Sequence, residues 1–214
     1  MKHIVLLGDS IFDNAPYVAT GGDVLTQLRE ELGDKDAVTL LARDGDALAD
    51  MDAQVARLRK LEAPPSWLLV SCGGNDVLGL VGEMQRGVRS VIEACELLAT
   101  WQAAFRTDYR RMLELIMEQG KPTAVATIYD YVPGLSPALR TALAVFNDVI
   151  LCEAARRRLP VLDLRLVCMD PADYAASSPI EPSALGAAKI AAAIAALVNT
   201  HVPDCPHTVV YTAA

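Results

Sequence analysis

The chain has 214 residues, 52% of them apolar, which suits one domain with a substantial core and excludes a disordered chain. A formal net charge of −8 repels phosphate backbones and disfavours nucleic acid as a partner. Aromatics are only 5%, and the apolar mass is Ala, Leu and Val, the mix expected of helices packed on a buried parallel sheet.

Met1-Lys2-His3 leads directly into a short apolar run that breaks at Gly8-Asp9-Ser10, too short for a secretory leader. A cytoplasmic location is therefore expected. The five cysteines, Cys72, Cys95, Cys152, Cys168 and Cys205, form no Cys-x-x-Cys pair and read as reduced thiols. Residues 3–7 predict a first strand and 38–42 a second; 67–71, 123–127 and 161–164 give the third, fourth and fifth. Helical spacing lies between them. Val24, Leu25, Leu28 and Leu32 share one face of residues 22–32, and Leu48, Met51, Val55, Leu58 and Leu61 share one face of 47–61. Residues 84–119 exceed one uncapped helix and predict two. Helices over 137–158 and 183–198 complete the set; Arg156, Arg157 and Arg158 suit the C-terminal end of the former. The most apolar stretch, 190–198, is far too short to span a bilayer, so no membrane partner is expected.

This alternation predicts an α/β fold, a three-layer αβα sandwich on a five-stranded parallel, flavodoxin-like sheet. One domain is expected over residues 1–198, with a C-terminal tail at 199–214. The tail reads as a surface segment. Its β-prone 208–212 run leaves open an arm packed on the domain or on a second subunit, and with it a homodimer.

In such sheets ligands sit beyond the carboxyl ends of the strands, so the loops there carry the chemistry. After the first strand comes Gly8-Asp9-Ser10-Ile11-Phe12-Asp13-Asn14. Glycine before a hydroxyl permits a sharp turn that exposes the serine oxygen, although Ser10 would also serve as a simple turn cap. Gly8 stands alone, which excludes a dinucleotide loop. After the third strand, Gly73-Gly74-Asn75-Asp76 allows close backbone approach and offers an amide donor to an oxyanion, and it is equally good turn chemistry. After the second, Asp44-Gly45-Asp46 offers the Gly45 N–H to the same oxyanion. Its two acids would suit Mg²⁺, but Leu48 stands where such a motif wants threonine, so no metal and no cofactor is expected. Asp9 is read as bracing the serine turn. Asp9, Asp13, Gly74 and Asp130 are the candidates for lining a substrate pocket, with Asp13 and Asp130 equally readable as hydrated loop acids.

These blocks, in this order and on these strand ends, resemble those of the SGNH (GDSL-like) hydrolases over residues 3–198. The resemblance implies that Ser10 is a nucleophile. It implies an oxyanion hole made by the Ser10 and Gly45 N–H groups and the Asn75 side chain. It also implies metal-free cleavage of esters, thioesters or O-acyl groups on a small-molecule substrate. The last family block departs from the pattern. Where Asp-x-x-His is usual, the chain reads Ser178-Pro179-Ile180-Glu181, followed by Pro182. His3 begins the first strand, roughly 15 Å from Ser10. His201 follows a helix that ends roughly 24 Å away. His207 approaches only if the tail folds back or crosses to a neighbouring subunit. Glu181 therefore either acts as the general base, which requires burial to raise its pKa, or orients the substrate, or is structural, pairing with a cation such as Arg165 or accepting backbone N–H bonds. The first reading gives a serine-dependent acyl hydrolase with an altered base. The last gives a catalytically impaired protein that binds an acylated or carboxylate ligand.

Overall fold

The computed structural model describes residues 1–212. Its strands are β1 (His3–Gly8), β2 (Ala37–Leu40), β3 (Trp67–Ser71), β4 (Thr123–Ala126), β5 (Val161–Leu162), β6 (Tyr174–Ala175), β7 (Ser178–Pro182) and β8 (Val210–Tyr211). Its helices are α1 (Val24–Leu32), α2 (Met51–Leu58), α3 (Gly74–Leu78), α4 (Val91–Met117), α5 (Pro137–Arg157), α6 (Leu164–Val167) and α7 (Ala184–Thr200).

The main sheet runs β2-β1-β3-β4-β5-β8 and every pairing in it is parallel. β1 lies inside the sheet and shows why both faces must be covered. Ile4 and Leu6 enter one core with Val24, Leu28 and Ile190, beneath α1 and α7. Val5 and Leu7 enter the other with Met51, Leu113 and Phe146, beneath α2, α4 and α5. Alternate residues of a strand point to opposite faces, so an uninterrupted apolar run makes two cores at once. Each such buried Val, Leu or Ile contributes about 1.5–3 kcal/mol.

The order β2-β1-β3-β4-β5 is the flavodoxin-like one, with its switch point between β1 and β3. A sixth strand, β8, joins the expected five. The tail folds back and pairs Val210 and Tyr211 with Val161 and Leu162, which covers the β5 edge. Two other boundaries also differ. Residues 84–119 hold a single long helix, α4, rather than two. Ser90 caps it by accepting from the Glu93 N–H at 3.1 Å, and a separate 3₁₀ turn, Glu83–Gln85, precedes it. The fifth strand stops at Leu162, because the Asp163 side chain caps α6 immediately afterwards. No helix of the described residues is long and apolar enough to cross a membrane.

Candidate active site

β1 ends in a turn that only glycine can make. Gly8 has φ +126°, and a Cβ there would lie 1.7 Å from the Ser71 carbonyl oxygen of β3. That close approach lets Asp9 N–H donate to the same carbonyl at 3.0 Å. The chain then turns sharply, with Phe12 and Asp13 N–H both donating to the Asp9 carbonyl at 3.2 Å. Ser10 therefore sits at the switch point, on the carboxyl side of β1 and beside the loop after β3.

Gln54 locks this turn from below. Fully buried on α2, it accepts from Gly8 N–H at 2.8 Å and donates to the Gly8 carbonyl at 2.6 Å. The same amide donates to Asp46 Oδ2 at 2.8 Å, and Arg43 N–H donates to the Gly8 carbonyl at 3.0 Å. These bonds draw the Asp44-Gly45-Asp46 turn against the serine turn. Asn75 lies across from it, with Nδ2 donating to the Asp46 carbonyl at 2.8 Å. A carboxamide nitrogen has two hydrogens, so one N–H of Asn75 remains for a ligand.

Glu181 arrives from the antiparallel β6–β7 pair. Tyr129 donates from its hydroxyl to the Ile180 carbonyl at 2.5 Å, and Asn14 Nδ2 donates to the Pro182 carbonyl at 3.1 Å. Ser183 then caps α7 by accepting from the Gly186 N–H at 3.2 Å. Gly186 is needed there because a Cβ would lie 2.1 Å from the Asp173 carbonyl oxygen. Bracketed in this way, the Glu181 side chain is 4% exposed.

No cation pairs with it among the described residues. Arg165, a conceivable partner, instead holds Asp163 in a two-pronged pair at 2.8 and 2.6 Å. Burial pushes the Glu181 pKa up to about 7, against a downward pull from the Ser10 hydroxyl and a further upward push from the charge on Asp44. Glu181 Oε2 has no hydrogen-bond partner among the described residues. Asp9 is also buried. Burial raises its pKa to about 8, the Ile11 N–H bond lowers it, and the charge of Glu181 raises it again. At neutral pH Asp9 is mostly the neutral acid, which spares the site a second buried charge.

Asp9, Ser10, Gly74, Asn75 and Glu181 line one cavity of about 110 Å³. Other residues singled out from the sequence do not. Gly45 sits on the adjoining turn at φ +84°, outside the lining. Asp13 turns away to accept from Asp44 N–H at 2.9 Å. Asp130 is also absent from the lining; its backbone carbonyl accepts from Arg140 Nε at 2.8 Å. Asp44 and Asp46 accept from Tyr17 and Gln54 respectively, so the pair does not converge on one point. Cys72 does line the cavity, but burial drives its thiol pKa well up and keeps it protonated.

The histidines lie elsewhere. His3 is buried at the amino end of β1, against Ala63 and Thr39. His201 contacts Trp67 and Tyr211 beyond α7. His207 precedes β8, whose pairing with the start of β5 places it at the far end of the sheet.

Sequence reasoning missed Gln54, Asn14 and Tyr129. Gln54 had a readable signal: with Met51, Val55 and Leu58 it completes the i, i+3, i+4, i+7 stripe of a core-facing helix, where a polar residue needs a partner.

A parallel sheet with a serine at its switch point, an amide opposite it and an acid over it defines a hydrolase-type α/β fold. The chain belongs to the GDSL-like Lipase/Acylhydrolase family, whose sequence model matches residues 6–189. No curated protein sequence matches it significantly. Among solved structures it resembles a lipolytic G-D-S-L family protein from Veillonella parvula DSM 2008, with 15% identity over 94% of this chain and 98% of the other and a TM-score of 0.67. It also resembles an extracellular lipase from Streptomyces rimosus, at 15% identity, 94% and 100% coverage and a TM-score of 0.64. The aryl esterase of M. smegmatis is similar at 13% identity, 94% and 100% coverage and a TM-score of 0.66. At such identities the likeness is one of fold.

Proposed function

We propose that this protein is a serine-dependent carboxylic-ester hydrolase in which Glu181 replaces histidine as general base. One observation carries the reading: a buried carboxyl, free of any cation among the described residues and raised to a pKa of about 7, faces the Ser10 hydroxyl in a shared cavity. A carboxyl at its ordinary pKa is too weak a base for this work at neutral pH, and burial corrects that.

In the proposed reaction Ser10 Oγ attacks the acyl carbon as Glu181 accepts the hydroxyl proton. The tetrahedral oxyanion takes hydrogen bonds from the Ser10 N–H and the free N–H of Asn75. Collapse breaks the C–O bond to the leaving alcohol, which receives the proton from Glu181. Water then attacks the acyl-serine as Glu181 accepts its proton, and collapse breaks the bond between the acyl carbon and Ser10 Oγ, which takes the proton back from Glu181 as the carboxylic acid leaves. The substrate is a small neutral acyl compound. Binding of a carboxylate ligand by an inactive protein is the less favourable reading, because Asp9 and Glu181 line the cavity and no Lys or Arg does, among the described residues.

Hydrolysis of p-nitrophenyl butanoate across pH tests this in the wild type, Ser10→Ala and Glu181→Gln. Ser10→Ala is expected to lose at least about 10³-fold in kcat. Wild type and Ser10→Ala that are equally inert, with neither labelled by a fluorophosphonate, would overturn the proposal.

A further inference from the structure

The reaction proposed for Ser10 leaves one buried acid of the cavity without a part in it. Asp9 is 3% exposed and lines the cavity together with Ser10, Asn75 and Glu181. Its Oδ1 accepts from the Ile11 N–H at 3.2 Å, an Asx turn that fixes the direction of the carboxyl. Oδ2 makes no hydrogen bond to any described residue. A Cβ built on Gly74 would meet Oδ2 at 3.5 Å, so this oxygen lies beside the turn that carries the Asn75 amide. Donors to an oxyanion are few here. Gly45, the third donor implied by the family resemblance, is outside the lining, which leaves the Ser10 N–H and Asn75.

The groups that face Asp9 decide its form. Burial pushes its pKa up and the Ile11 bond pulls it down, while Glu181 on β7 and Asp76 on α3 push it further up. Cys72 after β3 and Tyr129 after β4 also face it, and burial keeps both of them protonated. No Lys, Arg or His lines the cavity among the described residues. Two carboxyls buried together without a cation do not both ionise. If Glu181 takes up the serine proton, it is the ionised member, and the proton of the pair rests on Asp9. An ionised Asp9 would repel an oxyanion growing beside it. The neutral acid instead holds an O–H with no acceptor of its own.

We infer that Asp9 is a further catalytic residue, acting as the neutral acid: its Oδ2–H donates a hydrogen bond to the oxyanion of the tetrahedral intermediate, in the place that the Gly45 N–H does not fill. This rests on the reading of Ser10 as nucleophile and Glu181 as base. No covalent bond changes at Asp9. The proton stays on Oδ2 while the hydrogen bond forms with the oxyanion, and the bond is lost when the carbonyl re-forms. The active form therefore has Glu181 ionised and Asp9 protonated, and activity peaks between their ionisations, at about 7 and about 8.

The test is p-nitrophenyl butanoate hydrolysis across pH in the wild type, Asp9→Asn and Asp9→Ser. Wild-type kcat/KM is expected to rise through about pH 7 and to fall again above about pH 8. Asp9→Asn keeps an acceptor for the Ile11 N–H and a weaker N–H donor, but it cannot ionise. It is expected to hold kcat within about tenfold of wild type and to lose the alkaline fall. Asp9→Ser keeps a hydroxyl that accepts from the Ile11 N–H, without a second oxygen beside Gly74. Its kcat is expected to drop about 10²-fold with KM little changed, as for a contact made only in the transition state. The infrared difference between wild type and Asp9→Asn at neutral pH reads the proton without turnover, as the C=O stretch of a protonated carboxyl present only in the wild type. An alkaline fall that persists in Asp9→Asn, equal kcat in Asp9→Ser and Asp9→Asn, or the absence of that band overturns the donor role and leaves the serine reading standing. A wild type inert to the ester and to a fluorophosphonate overturns both.

Discussion

Two groups of buried carboxyls in this molecule have opposite electrostatics. Glu153 on α5 is 1% exposed and bonds Arg110, Arg156 and Arg157 at 2.9, 2.5 and 2.6 Å. Burial alone would raise its pKa, but the hydrogen bonds from Arg157 and Arg110 outweigh it and hold the value below the usual range. Asp163 behaves likewise, with Arg165 and Thr127 outweighing burial. Asp9 and Glu181 are as deeply buried and lack such cations, so desolvation wins and their pKa values climb to about 8 and about 7. A buried acid with its cation is a structural part. One held without a cation, beside a hydroxyl and a cavity, is the costly arrangement expected of chemistry.

The largest expected effect that tests this contrast is on turnover. Glu181→Gln should lower kcat by about 10²–10⁴-fold while the fold persists by circular dichroism. Wild-type kcat/KM should rise with pH through about 7 as Glu181 ionises, and Glu181→Gln should lose that limb. Retained turnover with an unchanged pH profile in Glu181→Gln would erase the distinction between the two groups.

Stability tests the other side. Glu153→Gln leaves three partly exposed arginines facing a neutral amide, and should cost about 1–3 kcal/mol in urea unfolding. Its effect on kcat is expected to be far smaller than that of Glu181→Gln.

The two groups also pull stability in opposite directions with pH. Asp9 and Glu181 bind protons more tightly folded than unfolded, so their contribution is complete below the ordinary values of 3.8 and 4.5 and is lost as pH rises toward about 8. Glu153 and Asp163 have lowered values, so theirs is present at neutral pH and lost on acidification through their folded pKa values. Tm should therefore decline from mildly acidic pH to about pH 8. The smallest expected effect is that Asp9→Asn flattens this decline, leaving the share of Glu181. A Tm that climbs steadily across that window would contradict the assignment of both site acids.

Much of this was legible beforehand because it depends on local chemistry. Gly8 before Ser10 reads as a tight turn from two residues, and the structure shows the reason in the Ser71 carbonyl packed where a Cβ would lie. Apolar runs separated by helical spacing gave five parallel strands. The sixth was not legible, since β8 is two residues whose only support is the β5 edge. Nor was the continuity of α4 where two helices were expected, although Ser90 marks its start. Asp13 and Asp130 fit a pocket by position in the chain, yet neither is among the residues that line it.

By itself, then, the sequence determined the parallel α/β order and the place of the serine turn, and it put Glu181 where the family resemblance leads one to expect histidine. These follow from hydrophobic periodicity, glycine sterics and residue identity, which act over a few neighbouring positions. The tertiary structure alone decided what Glu181 is. Arg165 was available to it in the sequence, two residues from Asp163 and sixteen from Glu181, and folding gave the arginine to Asp163. Whether a carboxyl keeps a depressed pKa or a raised one depends on which cation and how much water reach it, and only the packed chain fixes both.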